Sequence, residues 1–137
     1  MREIEFQTDF FKPLPGEDKE TNPGCYGKSL ALWLAERLKG KGFVIKRVIP
    51  EDFGWCIAIA CPDPACDLWL MCGNTDKAGK EWMVWSVGHV AFWKRLFRGM
   101  RPVLPELEKL DRHLRELLPA IPGIVFSGGN GEWKAIN

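Results

Sequence analysis

Leu30, Trp33, Leu34 and Leu38 recur at three- and four-residue spacing between Tyr26 and Lys39. That period lays one apolar stripe along a helix, and Ala31 and Ala35 favour the helical state. Glu36, Arg37 and Lys39 fall mostly off the stripe, and Gly40 and Gly42 supply a left-handed stop. A second stripe, Val103, Leu107, Leu110, Leu114 and Leu117, predicts a helix from Pro102 to about Leu118, ended by Pro119 and Pro122. Between these segments the pattern is that of strands. Phe43 to Val48 is β-rich, with Lys46 and Arg47 marking an edge or a wet face. Trp55–Cys61 and Cys66–Cys72 flank a four-residue loop, Pro62 to Ala65, and read as a hairpin. The loop length sets Cys61 opposite Cys66, Ile59 opposite Leu68, Ile57 opposite Leu70 and Trp55 opposite Cys72. Trp82 to Val87 is a further strand, residues 3–11 begin as a short first one, and residues 123–126 read as a last one.

This order predicts an α+β fold: an antiparallel meander sheet of four to six strands with two main helices packed on one face. Residues 1–137 read as one globular domain, with a loop at 12–24 and a flexible tail at 127–137. The hairpin carries a difficulty for that arrangement. One face holds Trp55, Ile57, Ile59, Leu68 and Leu70; the other holds Cys56, Ala58, Ala60, Asp67, Trp69 and Met71. Both are largely apolar, and two helices cover only one. The second face then presents some of Trp69, Met71, Trp82 and Trp85, according to register. The competing expectation is that Phe6, Phe10 and Phe11, with Trp133 of the tail, fold over it.

Composition narrows the classes. At 137 residues, 46% hydrophobic and 27% charged, the chain is long enough to bury a core without staples. Nineteen Lys and Arg balance eighteen Asp and Glu, which argues against a strongly basic nucleic-acid arm and an acidic tail. No apolar run approaches the ~18 residues of a membrane span, and the N-terminus has Glu3 and Glu5 where a secretory signal is apolar. A cytoplasmic location and no membrane partner are therefore expected. Five Cys, an odd number, read as free thiols in a reducing compartment. Seven Trp in one small chain point to a large core, an interface, or both.

Candidate chemistry is sparse. Asn22 to Ser29 ends in Gly27-Lys28-Ser29 at a helix start and resembles the Walker A phosphate loop, with Asn22 in place of its first glycine. The resemblance covers eight residues, and the charged residues 17–20 precede it where such a loop follows a buried strand. Cys56, Cys61, Cys66 and Cys72 lack the paired knuckles of a structural zinc site, so neither metal nor cofactor is expected. Cys61 and Cys66 are placed to cross-link under oxidation. His89 ends a strand, and a Cys–His pair with Cys25 or Cys72 is the one nucleophilic arrangement on offer. No catalytic residue is assigned.

Residues 92–101 hold four cations, three aromatics and no acid. Such a segment pairs with phosphates or with an acidic protein. The near-neutral charge of the chain favours the plainer expectation, in which the aromatics enter the core and the cations stay in water. The functional expectation is a protein-binding module, with a protein partner or a second copy held by Trp69, Met71, Trp82, Trp85, Trp93, Lys94, Arg95 and Arg98. The layout is similar, at the level of fold, to bacterial immunity proteins and secretion chaperones. The alternatives are a small-ligand or enzyme site near His89 and the 50–55 turn, and nucleic-acid binding through 92–101.

Overall fold

The alternation that marks the central hairpin extends into four long strands in the structure, a computed structural model that describes residues 2–127 and 134–135. The strands are β1 (Arg2–Gln7), β2 (Val44–Glu51), β3 (Gly54–Ala60), β4 (Cys66–Asn74), β5 (Glu81–Val90), β6 (Val125–Phe126) and β7 (Lys134–Ala135). The helices are α1 (Lys28–Gly40), α2 (Phe92–Arg98) and α3 (Leu104–Leu117). The sheet order is β2-β3-β4-β5-β1-β6, every pair antiparallel, with β7 also against β1. Strands β2 to β5 form a meander, as short connections require. The first strand closes on the far side of β5, pairing Ile4 with Val84 and Phe6 with Trp82.

The hairpin register is the expected one: Trp55 pairs with Cys72, Ile57 with Leu70 and Ile59 with Leu68. Alternation then sends these residues, with Val84, Ile4 and Phe6, to the same face. Onto that face pack the stripes of α1 (Leu30, Leu34, Leu38) and α3 (Leu110, Leu114, Leu117) in one core cluster. Burying each such side chain stabilises the fold by about 1.5–3 kcal/mol before entropy is set against it. Helix α1 ends at Gly40 and the chain turns at Gly42, whose φ of +92° suits glycine. His113 of α3 is half-buried: Nδ1 lies 2.9 Å from the Lys109 carbonyl, and the ring meets Phe43 edge-on at 5.2 Å.

The first strand is shorter than residues 3–11. It stops at Gln7, and Thr8 turns away, its hydroxyl donating to the Pro122 carbonyl at 2.7 Å. Phe11 then runs under the helix-covered face, edge-on to Trp33 (5.9 Å) and Trp82 (6.1 Å). Phe6 and Phe11 are thus core residues of that side, and Phe10 is exposed. None of the three folds over the opposite face. Trp133 and most of the 127–137 tail lie outside the described residues.

A second structural centre forms where three loops meet. The Asn74 side chain accepts from the Tyr26 N–H (2.8 Å) and donates to the carbonyls of Gly24 (2.9 Å) and Asp76 (2.6 Å). Asn22 donates to the Asp52 carbonyl at 3.0 Å. Here the backbones at Gly27, Gly54 and Gly73 pass in direct contact. A Cβ on Gly54 would stand 2.4 Å from the Cys72 carbonyl oxygen, and one on Gly27 would stand 2.5 Å from the same atom.

Candidate functional site

The sheet face turned away from α1 and α3 is built by the other half of each alternation. Strand β3 contributes the small residues Gly54, Cys56, Ala58 and Ala60 as a floor. Trp69 and Met71 of β4 stand beside it, paired with Ala58 and Cys56. Next come Trp85 and Val87 of β5, paired with Met71 and Trp69. Cys56 and Ala58 are only 3% and 4% exposed although no described helix lies over them, because larger neighbours on β2 and β4 flank them. Trp69, Met71, Met83, Trp85 and Val87 are half-buried, screened mainly by one another. From the β2–β3 turn Phe53 leans onto Trp85, ring centroids 4.8 Å apart, and the exposed His89 ring stacks on Trp69 at 5.1 Å. Charges border this surface: Lys46 and Asp67 pair at 3.1 Å, and Glu3 and Glu5 of β1 sit opposite Trp85 and Met83.

No family model, curated protein or solved structure matches this chain.

Of the eight residues expected at an interaction surface, Trp69, Met71 and Trp85 share this face. Trp82 does not. It stands three positions from Trp85 on one strand, so the two must point to opposite sides. Trp82 is 1% exposed in the helix-covered core, its indole N–H donating to the Thr8 carbonyl at 3.4 Å. Trp93, Lys94, Arg95 and Arg98 lie apart on α2, which follows β5 at the His89 end of the sheet. The expectation that the aromatics of this segment enter the core is overturned, since no residue of α2 is buried. Sequence reasoning missed Phe53 and Met83. Met83 carries a usable signal, being two positions from Trp85 on the same strand.

The enzyme alternative asks His89 to meet either a thiol or the 50–55 turn. His89 pairs with Asp67, whereas Trp55 pairs with Cys72, so the two groups occupy opposite ends of the sheet. Five rungs separate Asp67 from Cys72, about 17 Å at the rise of a strand. Cys72 is buried on the other face besides, and Cys25 sits in the loop tied to Asn74 at the far end.

The resemblance to a phosphate loop has a structural reason. Where a phosphate would meet the N-terminus of α1, the chain's own Glu17 carboxylate is already placed. Its Oε2 accepts from the N–H groups of Gly27 (3.3 Å) and Lys28 (3.0 Å), and Oε1 from that of Leu14 (2.8 Å). Lys28 reaches Glu20 at 3.9 Å and lies over the Trp55 ring. Among the described residues no three His, Cys, Asp or Glu side chains group to hold a metal ion.

The five cysteines are free thiols. Burial, helped by the charge of Glu51, pushes Cys56 up to about 11. Burial, with Glu106 adding, pushes Cys61 up to about 12, and burial raises Cys66 and Cys72 as well. An unfolded chain loses these protons near pH 9, while the folded protein keeps them. Stability is therefore fully present below about pH 9 and falls as pH climbs toward 11. Urea melts across that range should show the decline, and Cys56→Ala should lessen it. A flat profile from pH 8 to about 11 would contradict the burial of these groups.

Proposed function

We propose that the protein is a binding module that grips a protein partner with the aromatic face of its sheet. The observation that carries this reading is the composition of the face left without a helix. An antiparallel sheet with one solvated side ordinarily alternates apolar-in and polar-out. Here the second side carries Trp69, Met71, Met83, Trp85 and Val87, with Phe53 leaning over them. A contiguous apolar patch with a charged border is the build of a protein interface, and Trp and Met are enriched in such patches. The five free thiols suit a reducing cytoplasm as its setting.

The test compares wild type with the double variant Trp69→Ala, Trp85→Ala in affinity capture from native cell extract, with sedimentation across a dilution series. Neither side chain belongs to the core cluster under the helices, so the variant should keep the wild-type circular dichroism spectrum. Wild type should retain a stoichiometric protein, or a second copy of itself, and the variant should bind at least about 30-fold more weakly, the effect of losing one interface hot spot. Equal capture by both proteins, or a wild type that stays monomeric and retains nothing, would remove the reading.

A further inference from the structure

Helix α2 is mounted the wrong way round for a soluble protein. At about 100° per residue, Phe92, Trp93, Leu96 and Phe97 fall within one arc of about 140°, and Lys94, Arg95 and Arg98 fall on the opposite side. In a globular domain the apolar arc faces the body. Here Phe92, Trp93, Leu96 and Phe97 are 64%, 74%, 63% and 82% exposed. The tether is on the cationic side. Lys94 pairs with the Asp63 carboxylate in the β3–β4 loop, and the Ala91 N–H donates to the Ala65 carbonyl at 2.6 Å. The Ala65 N–H in turn donates to Asp63 at 2.9 Å. The hydrogen bond from Lys94, then that from Ala65, holds the Asp63 carboxyl below its ordinary range. The loop thus grips the polar side and leaves the apolar side outward. Arg95 and Arg98 are exposed, as is Arg101 just beyond Gly99.

We propose that α2 seats the protein on an anionic lipid surface, its apolar arc entering the headgroup–acyl boundary and Arg95, Arg98 and Arg101 reaching the lipid phosphates and carboxylates. Charge complementarity selects this occupant. A second copy docked α2 to α2 would bring two sets of arginines together, the helix itself carrying no acid. A nucleic acid would use the cations and leave Leu96 in water. An anionic interface takes both halves, apolar depth and surrounding positive charge. The expectation of no membrane partner rested on the lack of a spanning segment, and no described helix is long and apolar enough to cross a membrane. A helix lying in the interface needs no such length.

The test is co-sedimentation of the full chain with vesicles of phosphatidylcholine alone and with about a third phosphatidylserine. Wild type should bind the anionic vesicles at least about tenfold more strongly than the neutral ones, and less as salt is raised. The double variant Trp93→Ala, Phe97→Glu should lose the binding. Arg95→Gln with Arg98→Gln should lower it toward the neutral-vesicle level. These positions are exposed, so unchanged circular dichroism spectra are expected of both. Trp69→Ala with Trp85→Ala should bind vesicles as wild type does, which separates this test from that of the sheet face. The proposal is overturned if wild type stays in the supernatant with both vesicles, or if the α2 variants bind undiminished. It is equally overturned if the sheet-face variant loses the binding. Loss of self-association, protein capture or oligonucleotide binding in the α2 variants, with vesicle binding unchanged, would give the helix to that partner instead.

Discussion

Gly54→Ala should destabilise the protein by about 3–5 kcal/mol, most of what a domain of this size has to lose. The methyl carbon would stand 2.4 Å from the Cys72 carbonyl oxygen and 2.9 Å from that of Tyr26. Both are backbone atoms, so no rotamer change relieves the clash. The φ of +156° at Gly54 adds strain for any other residue. Relief requires β3 and β4 to part near the Trp55–Cys72 pair, or the loop before α1 to lift off. Gly40→Ala is the control: nothing lies within 4 Å of its Cβ, and alanine favours the helix it ends. Urea denaturation followed by tryptophan fluorescence distinguishes them. A Gly54→Ala midpoint equal to wild type would show that the three loops are not in the contact described.

Glu17→Ala should cost about 2–4 kcal/mol, a large effect for an acid in a polar loop. The carboxylate is 3% exposed and accepts from three backbone N–H groups, of Leu14, Gly27 and Lys28. Helix α1 has no side-chain cap of its own, Gly27 standing at its N-cap. Without Glu17 its first amides point into a site shaped for a negative group. Glu17→Gln keeps one acceptor oxygen and should fall between wild type and Glu17→Ala. Thermal melts of the three proteins check the order, and an unchanged melting temperature for Glu17→Ala would refute the capping role.

The two confirmed helices and the hairpin were legible because their signals are local. The three- and four-residue spacing of Leu30, Leu34 and Leu38 fixes a helix face, and a four-residue loop fixes which residue of β3 meets which of β4. The greasy second face followed from the same alternation. The pairing of β1 with β5 left no such trace, since nothing near residue 4 names Val84 as its neighbour. Glu17 was illegible for the same reason: its partners Gly27 and Lys28 are ten and eleven residues away across a loop of glycines and prolines. For α2 the segregated arcs could be read, but periodicity gives only the two sides of a helix, not which of them the body takes. That was decided by Asp63, thirty-one residues before Lys94.

The placement of β1 has a consequence for a chain growing on the ribosome. Residues 2–7 are made well before the strand that must receive them, which ends at Val90. At ordinary elongation rates of about 5–20 residues per second, several seconds pass before that partner exists. Until then Ile4 and Phe6 have no sheet to enter, and once β5 is made its outer edge stands open until they arrive. The nascent protein therefore passes through a stage with one unpaired strand and one unfinished edge, which close only when β1 pairs with β5.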